Sequence, residues 1–424
     1  MSSNSKLVAA IDVGSEKITT LIAQVTADEM TQEQTVSIIG VSSVSSKGVK
    51  KGQIVDIEEA VESIISSVEP AERMAGYNLD RAFITVGGAH ISSQNSKGVV
   101  AVSNATGEVT AEDIGRVIEA ARAISHPASR EIIHVVPREF IVDGESGVRD
   151  PVGMSGVRLE VETHIVTASS AALKNLTKSV SEVGIDVQDT VFTGLAASYS
   201  TLTSTEKELG CVLVDIGSGT TSVCAFVDGA LAYSGAIPIG ARNVTNDLAI
   251  GLRVSLESAE RIKLDLHKKS VSTDKHGKEL IEVSETGSEA AKKVTKRTLT
   301  EGIIKPRLNE IFSLIKTDLE KAGIMNKVPS GTVITGGGAL TVGIDEVAKR
   351  ILSLPTRVAK PKGVKGLVDD IIDPKYAAAV GLILYGAQSD QYSSTTSQGP
   401  GMSIKLPKSA GLSKIVDTIK NLLP

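Results

Sequence analysis

Asp12 and Asp215 occupy the same place in two matching segments. In the first, the apolar run Leu7 to Ile11 leads into Asp12-Val13-Gly14-Ser15 and then the alternating Lys17 to Val25. In the second, Cys211-Val-Leu-Val-Asp215-Ile-Gly217-Ser218-Gly219-Thr220-Thr221 leads into the apolar Val223 to Val227. Each reads as strand, tight turn, strand. A strand-end carboxylate before a glycine turn supplies two functions: the turn's N–H groups hold phosphate oxygens, and the Asp orders water around Mg²⁺. Two such hairpins can hold a nucleotide triphosphate tail between them. Gly336-Gly337-Gly338, after the strand Thr332 to Thr335, would let backbone approach the base or the α-phosphate.

The elements that must position these turns follow from the repeat. It is too long for a solenoid unit and implies two similar α/β domains facing each other. Between its copies, Ile84 to Val166 changes texture, with short strand-like runs, one helix near Ala111 to Ile124, and Asp150-Pro-Val-Gly-Met-Ser-Gly156. It reads as an inserted α+β subdomain. Spacing predicts a helix over Val244 to His267, a polar and mobile hairpin or loop over Lys268 to Gly287, and a helix over Ile303 to Ala322. Tyr376 to Tyr385 is an Ala-rich apolar stretch expected to be a buried helix closing the first domain.

Gln388 to Ala410 has the Ser, Thr, Gln, Gly and Pro composition of a flexible linker. Beyond it, Leu412, Ile415, Val416, Ile419, Leu422 and Leu423 form one apolar stripe at helical spacing. A terminal core helix gives the same stripe, but the long polar linker favours a tethered element.

The 424 residues suffice for two or three domains, and 50 acidic against 45 basic side chains give a net charge of −5. That balance removes the electrostatic case for non-specific nucleic-acid binding. Cys211 and Cys224 fit no metal spacing and read as buried apolar residues of a reducing compartment. Neither a long apolar run nor a hydrophobic core in Met1 to Lys6 is present, so a soluble cytoplasmic protein is expected.

Together these residues resemble the superfamily of actin, the seventy-kilodalton chaperone ATPases and sugar kinases, whose two halves each open with such a hairpin. Within it the chain resembles the FtsA family of actin-like bacterial cell-division proteins. The likeness runs through Ile11 to Ser15, Asp150 to Gly156, Leu195-Ala-Ala-Ser198, Asp215 to Thr221, Ala259-Glu260-Arg-Ile-Lys263, Gly336 to Gly338, the linker and the terminal helix. The Asp150 to Gly156 block is the most family-specific, because other superfamily members carry a different insertion.

The resemblance implies an actin-like ATPase fold with Mg-ATP between the domains. Asp12 and Asp215 would hold metal-bound waters; Gly14, Ser15, Gly217, Ser218, Gly219 and Thr220 would contact phosphates. Lys17 either neutralises a phosphate or is a solvated strand residue. Glu260 and Lys263 share a helix face and either reach ribose and base or form a surface ion pair. The expected boundaries are 1–83, 167–194 and 358–387 for the first domain, and 84–166 for its insertion. Residues 195–227 and 300–357 would form the second domain, 228–299 its smaller subdomain, 388–410 the linker and 411–424 the membrane-targeting helix.

The family further implies self-association into filaments, an anionic membrane surface at the cytoplasmic face of the division site, downstream division proteins, and the FtsZ C-terminal tail as partners. Lys292, Lys293, Lys296 and Arg297, on a helix-forming stretch, either face that tail's carboxylates or form a solvated face. The water-positioning position of active ATPases falls near Thr193, whose hydroxyl is a poor base, with Glu206 in the following loop; slow hydrolysis is expected. A pilus-assembly adaptor and a small-molecule kinase of the same superfamily are the competing readings.

Overall fold

The computed structural model describes residues 5–389 apart from 28–33, 105, 268–271, 274–278, 285–290, 368 and 370. The linker and the terminal stripe from Leu412 to Leu423 lie outside the described residues. Along the chain, β1 (Ser5–Val13), β2 (Lys17–Ala27) and β3 (Gln34–Ser45) form an antiparallel meander. Helix α1 (Ile57–Ala75) follows, started by the Asp56 carboxylate accepting from the Glu59 N–H and stopped by left-handed Gly76. Next comes β4 (Arg81–Val86), parallel to β1.

The insertion then supplies β5 (Ser92–Ala101), α2 (Ala111–Arg122), β6 (Arg130–Val142) and β7 (Arg158–Ser169). These three strands, with the short Glu145–Val148, form a separate antiparallel sheet covered by α2, whose start is fixed by a reciprocal Thr110–Asp113 capping box. The chain returns through α3 (Ser170–Ser181) to β8 (Asp186–Phe192), which lies parallel to β4.

The second domain repeats the first. After α4 (Thr193–Thr201) and α5 (Ser204–Leu209) come β9 (Cys211–Ile216), β10 (Thr221–Val227) and β11 (Ala230–Ile237). Later β14 (Thr332–Thr335) pairs parallel with β9 and β15 (Thr356–Val358) parallel with β14. The sheet orders are therefore β8-β4-β1-β2-β3 and β15-β14-β9-β10-β11, the same five-strand pattern, with Lys365–Gly366 added beside β3. The central strands β1 and β9 are nearly continuous buried apolar runs, as sheets covered on both faces require. Helix α11 (Ala377–Ser389) packs on α4 and β1, and the Ser200 hydroxyl donates to the Ala377 carbonyl at 2.7 Å.

Two sequence expectations change here, and one open pair of alternatives resolves. The helix expected over Val244 to His267 is two helices, α6 (Ala241–Leu252) and α7 (Leu256–His267). Arg253 between them is left-handed at φ 58°, and the Ser255 hydroxyl accepts the Ser258 N–H to start the second. Over Lys268 to Gly287, expected as a hairpin or loop, the strand pairing is that of a hairpin: Ser272–Thr273 lies antiparallel to β12 (Glu279–Ser284), which pairs in turn with β13 (Ala291–Thr295) in a three-stranded sheet.

The other change concerns Lys292, Lys293, Lys296 and Arg297, which do not share a helix. Lys292 and Lys293 lie on β13, in register with Val283 and Glu282, and only Lys296 and Arg297 fall on the short helix α8 (Lys296–Leu299). Strand pairing overrides the local helix tendency here, and the cap at Thr295 starts the helix three residues after Lys293. A π-helical turn at Thr300–Ile304 joins α8 to α9 (Lys305–Lys321), and α10 (Ile344–Leu352) follows β14.

Candidate functional site

The two hairpins close in the same way. Gly14 N–H donates to the Lys17 carbonyl at 3.0 Å, and Gly217 N–H to the Thr220 carbonyl at 2.9 Å. The turns face each other: a Cβ on Gly219 would stand 3.0 Å from Ser15 Oγ and 3.2 Å from the Lys51 backbone. Between them lies a cleft of about 920 Å³, near the upper end of the about 300–1,000 Å³ typical of small-molecule sites. Its lining includes Asp12, Gly14, Ser15, Lys17, Asp215, Gly217, Ser218, Gly219, Thr220, Glu260, Lys263 and Gly336 to Gly338. Each cleft residue expected from sequence is thus brought to one cavity.

Asp12 and Asp215 are both buried at its floor. Burial raises the Asp12 pKa above the usual carboxylate value, opposed by a hydrogen bond from Thr85 Oγ1 to Asp12 Oδ1 at 2.6 Å and by the Lys17 charge. Burial and the Asp12 charge push Asp215 up to about 7, with Lys17 opposing. Thr335, the strand neighbour of Asp215 as Thr85 is of Asp12, turns its hydroxyl instead to the carbonyls of Ala359 and Pro374. Two buried, mutually repelling carboxylates are a donor pair that a divalent cation relieves. Among the described residues no three His, Cys, Asp or Glu groups cluster to hold a metal. A Mg²⁺ ion at the aspartate pair would keep most of its waters and take its remaining ligands from phosphate.

Lys17 is not a solvated strand residue. Its ammonium sits 3.9 Å from the Tyr376 ring centroid and 3.2 Å from Thr19 Oγ1, and burial lowers its pKa to about 8 against the pull of Asp12. Lys375 and Asp373 line the same wall. Of the ion pair between Glu260 and Lys263, one partner is solvent-facing, with the Glu260 side chain 42% exposed, and the other is not. Lys263 is buried, with its Nζ 2.7 Å from Glu260 Oε2 and 2.9 Å from Thr245 Oγ1.

Gly336, at φ 85°, is held to glycine by packing as much as by access: a Cβ there would lie 2.2 Å from Asp215 Oδ1. A Cβ on Gly338 would lie 2.4 Å from Ile216 Cγ2, whereas one on Gly337 would meet only Lys375 Cβ at 3.6 Å. Thr193 lines the cleft and donates its hydroxyl to the Val86 carbonyl at 3.0 Å. Glu206 is not in a loop but in α5, where its carboxylate pairs with Arg357 at 2.7 Å, which accounts for its pKa being lowered to about 2 despite partial burial.

Thr85, Glu16, Arg242, Asp373 and Lys375 are cleft or floor residues that local sequence reading missed. Only the Asp373-Pro374 turn carried a local signal. The insertion also touches the second domain through polar groups. Ser93 Oγ donates to the Ser234 carbonyl at 2.6 Å, and buried His164 bridges Asn95 Oδ1 at 2.7 Å and Ser234 Oγ at 3.1 Å.

Comparison with known proteins agrees with this architecture. Residues 88–167 match the family model described as the SHS2 domain inserted in FTSA, and residues 212–381 match that of the cell division protein FtsA. Among solved structures, a PilM–PilN type IV pilus biogenesis complex aligns at TM-score 0.63 and 14% identity, covering 90% of this chain and 98% of that one. MreB5 of Spiroplasma citri bound to ADP aligns at TM-score 0.53 and 13% identity, over 90% and 96%. At such identities the likeness is one of fold, and the fold is the actin-like ATPase fold. In sequence, the cell division protein FtsA of Bacillus subtilis is 37% identical over 96% of this chain and 88% of its own. That of Pseudomonas aeruginosa is 37% identical over 97% of both. With both family models also matched, the chain belongs to the FtsA family of cell division proteins.

Proposed function

We propose that this division protein binds Mg-ATP in the cleft, self-associates, and anchors an FtsZ ring to the inner face of the cytoplasmic membrane while helping to recruit later division proteins. The observation that carries the reading is the pair of opposed glycine turns over two buried carboxylates, Asp12 and Asp215. In it, Gly14 and Gly217, whose own N–H groups close the turns, let backbone approach the phosphates, the N–H groups of Ser15 and of Ser218 to Thr220 hold phosphate oxygens, Lys17 neutralises charge, and the glycines from Gly336 admit the nucleotide. Mg²⁺, when bound through water to the two aspartates, would neutralise phosphate charge. Glu260 and Lys263 contribute a wall for the nucleoside whose own charges are already matched. Thr193, with its proton committed to a carbonyl, supports slow hydrolysis.

Membrane contact is assigned to the stripe of Leu412, Ile415, Val416, Ile419, Leu422 and Leu423; no helix among the described residues is long and apolar enough to cross a membrane. A short helix with four nearby lysines binds weakly alone, so polymerisation multiplies anchors. The test is electron microscopy of the full chain on an anionic lipid monolayer with Mg-ATP, with and without an FtsZ polymer. Ordered filaments that need both nucleotide and lipid support the reading. Absence of lipid binding with ATP bound would overturn the anchoring role.

A further inference from the structure

One carboxylate already sits where the two phosphate turns meet. Glu16, at the tip of the first hairpin, places Oε2 3.0 Å from the Ser218 hydroxyl and 3.1 Å from Arg242 Nη1. Ser218 is in the turn of the second hairpin and Arg242 in the first turn of α6, so both contacts cross the cleft between the domains. A single anionic oxygen thus takes one hydroxyl proton and one guanidinium proton, a donor set that equally suits a phosphate oxygen. Guanidinium adds a planar fork that can grip two phosphate oxygens at once.

We propose that Glu16 is a built-in competitor for the terminal phosphate, and that Arg242 is the residue that distinguishes a nucleoside triphosphate from a diphosphate. The inference rests on the nucleotide reading of the cleft and adds to it the group that senses the third phosphate. An anion lodged between the two turns must displace the Glu16 carboxylate from Ser218, and the freed Arg242 then pairs with that anion. The inner phosphates, held by the backbone of the turns, make no such exchange. The side chains of Glu16 and Arg242 are 60% and 54% exposed. At such exposure the pair is weak and screened, which is what a contact broken at each binding event requires. With ATP bound, Glu16 is released from the second domain; with ADP bound, it stays bridged and ties the hairpins together.

The test is calorimetry of the full chain with ATP and with ADP, each with Mg²⁺, on the unmodified protein, Glu16→Ala, Glu16→Gln and Arg242→Ala. Removing the competitor should tighten ATP about threefold to fivefold in both Glu16 variants, while ADP changes less than about twofold. Arg242→Ala should weaken ATP by a similar factor, leave ADP nearly unchanged, and abolish the gain from Glu16→Ala in the double variant. A general loss of local negative charge would instead tighten both nucleotides together, and equal shifts would overturn the proposal. An unchanged ATP-to-ADP ratio in all variants, with ATP still bound, would overturn it too while sparing the site. If the unmodified chain binds neither nucleotide, the cleft reading itself fails and the inference falls with it.

Discussion

A Cβ on Gly336 would lie 2.2 Å from Asp215 Oδ1, so the third glycine cluster and the second aspartate are one packed unit. Gly336 also holds φ 85°, where any side chain is strained. Gly336→Ala should therefore move Asp215, cost about 1–3 kcal/mol of stability, and reduce ATP affinity at least tenfold. Gly337→Ala, which meets only Lys375 Cβ at 3.6 Å, should be nearly neutral for folding. Thermal melts and calorimetry separate the two; equal stability losses would show that the Asp215 contact is not the constraint.

Asp215 titrates near 7 in the fold against an ordinary value near 3.8. The folded chain thus retains a proton that the unfolded chain has released, so metal-free stability falls as pH rises from about 4 to 7 and stays lowest above that. Asp215→Asn should remove its share of this slope, leaving the smaller one of the same sign from Asp12, and raise the melting temperature at pH 8. It should also abolish Mg-ATP binding. In the unmodified chain Mg-ATP, which favours the ionised form, should bind more weakly as pH falls from 8 to 6. An undiminished slope in the Asn variant would assign it to another group.

Two histidines act with the opposite sign. Burial lowers His134 to about 4 and His164 to about 3, both from an ordinary 6.5. His134 Nε2 accepts the Phe192 N–H at 2.9 Å, which requires an unprotonated nitrogen. Their stability is fully present above pH 6.5 and is lost below it, at up to about 1.4 kcal/mol per pH unit each. His164→Gln should flatten the loss between pH 6 and 4, measured by denaturant midpoints. An unchanged slope would mean that His164 protonates in the fold.

Deleting Gly411 to Pro424, or placing Glu at Ile415 and Ile419, should release the protein from anionic vesicles without changing ATP affinity. Flotation reads the first and calorimetry the second. A truncated chain that still floats would place the anchor elsewhere; one that unfolds would make the segment part of the core.

Lys293→Glu with Arg297→Glu should weaken binding of an acidic FtsZ tail peptide by about one to two orders of magnitude at low salt, and less at high salt. Both side chains are exposed, one on β13 and one on α8, so a tail would cross from strand to helix rather than follow one helix face. Unchanged affinity at low salt would move the docking surface off this corner.

The duplicated hairpins were legible because all they need is local: an apolar run, a carboxylate, a glycine turn and a second run. Their equivalence extends to matching turn hydrogen bonds and sheet orders. Thr85, Arg242 and Lys375 were not legible, because each reaches the cleft from a distant segment through sheet pairing or domain packing, which no spacing rule encodes. The basic run at Lys292 to Arg297 was misread as one helix because strand pairing to β12 decides its first half. Glu260 and Lys263 were rightly placed together, but burial of Lys263 depends on Thr245 across the α6–α7 break.

Helix α11 has a consequence for biosynthesis. It fills the core beside β1, with Tyr385 edge-on to Phe83 and Tyr199, and a Cβ on Gly386 would stand 2.6 Å from the Phe83 ring. The first described strand therefore waits for the last helix among the described residues, a delay of tens of seconds at about 5–20 residues per second. The second domain's sheet, contiguous from Cys211 to Val358, can close first. Although second in sequence, it is the half able to fold earliest on the nascent chain, while the face of β1 and β2 that α11 covers stays unpacked until residue 389 emerges.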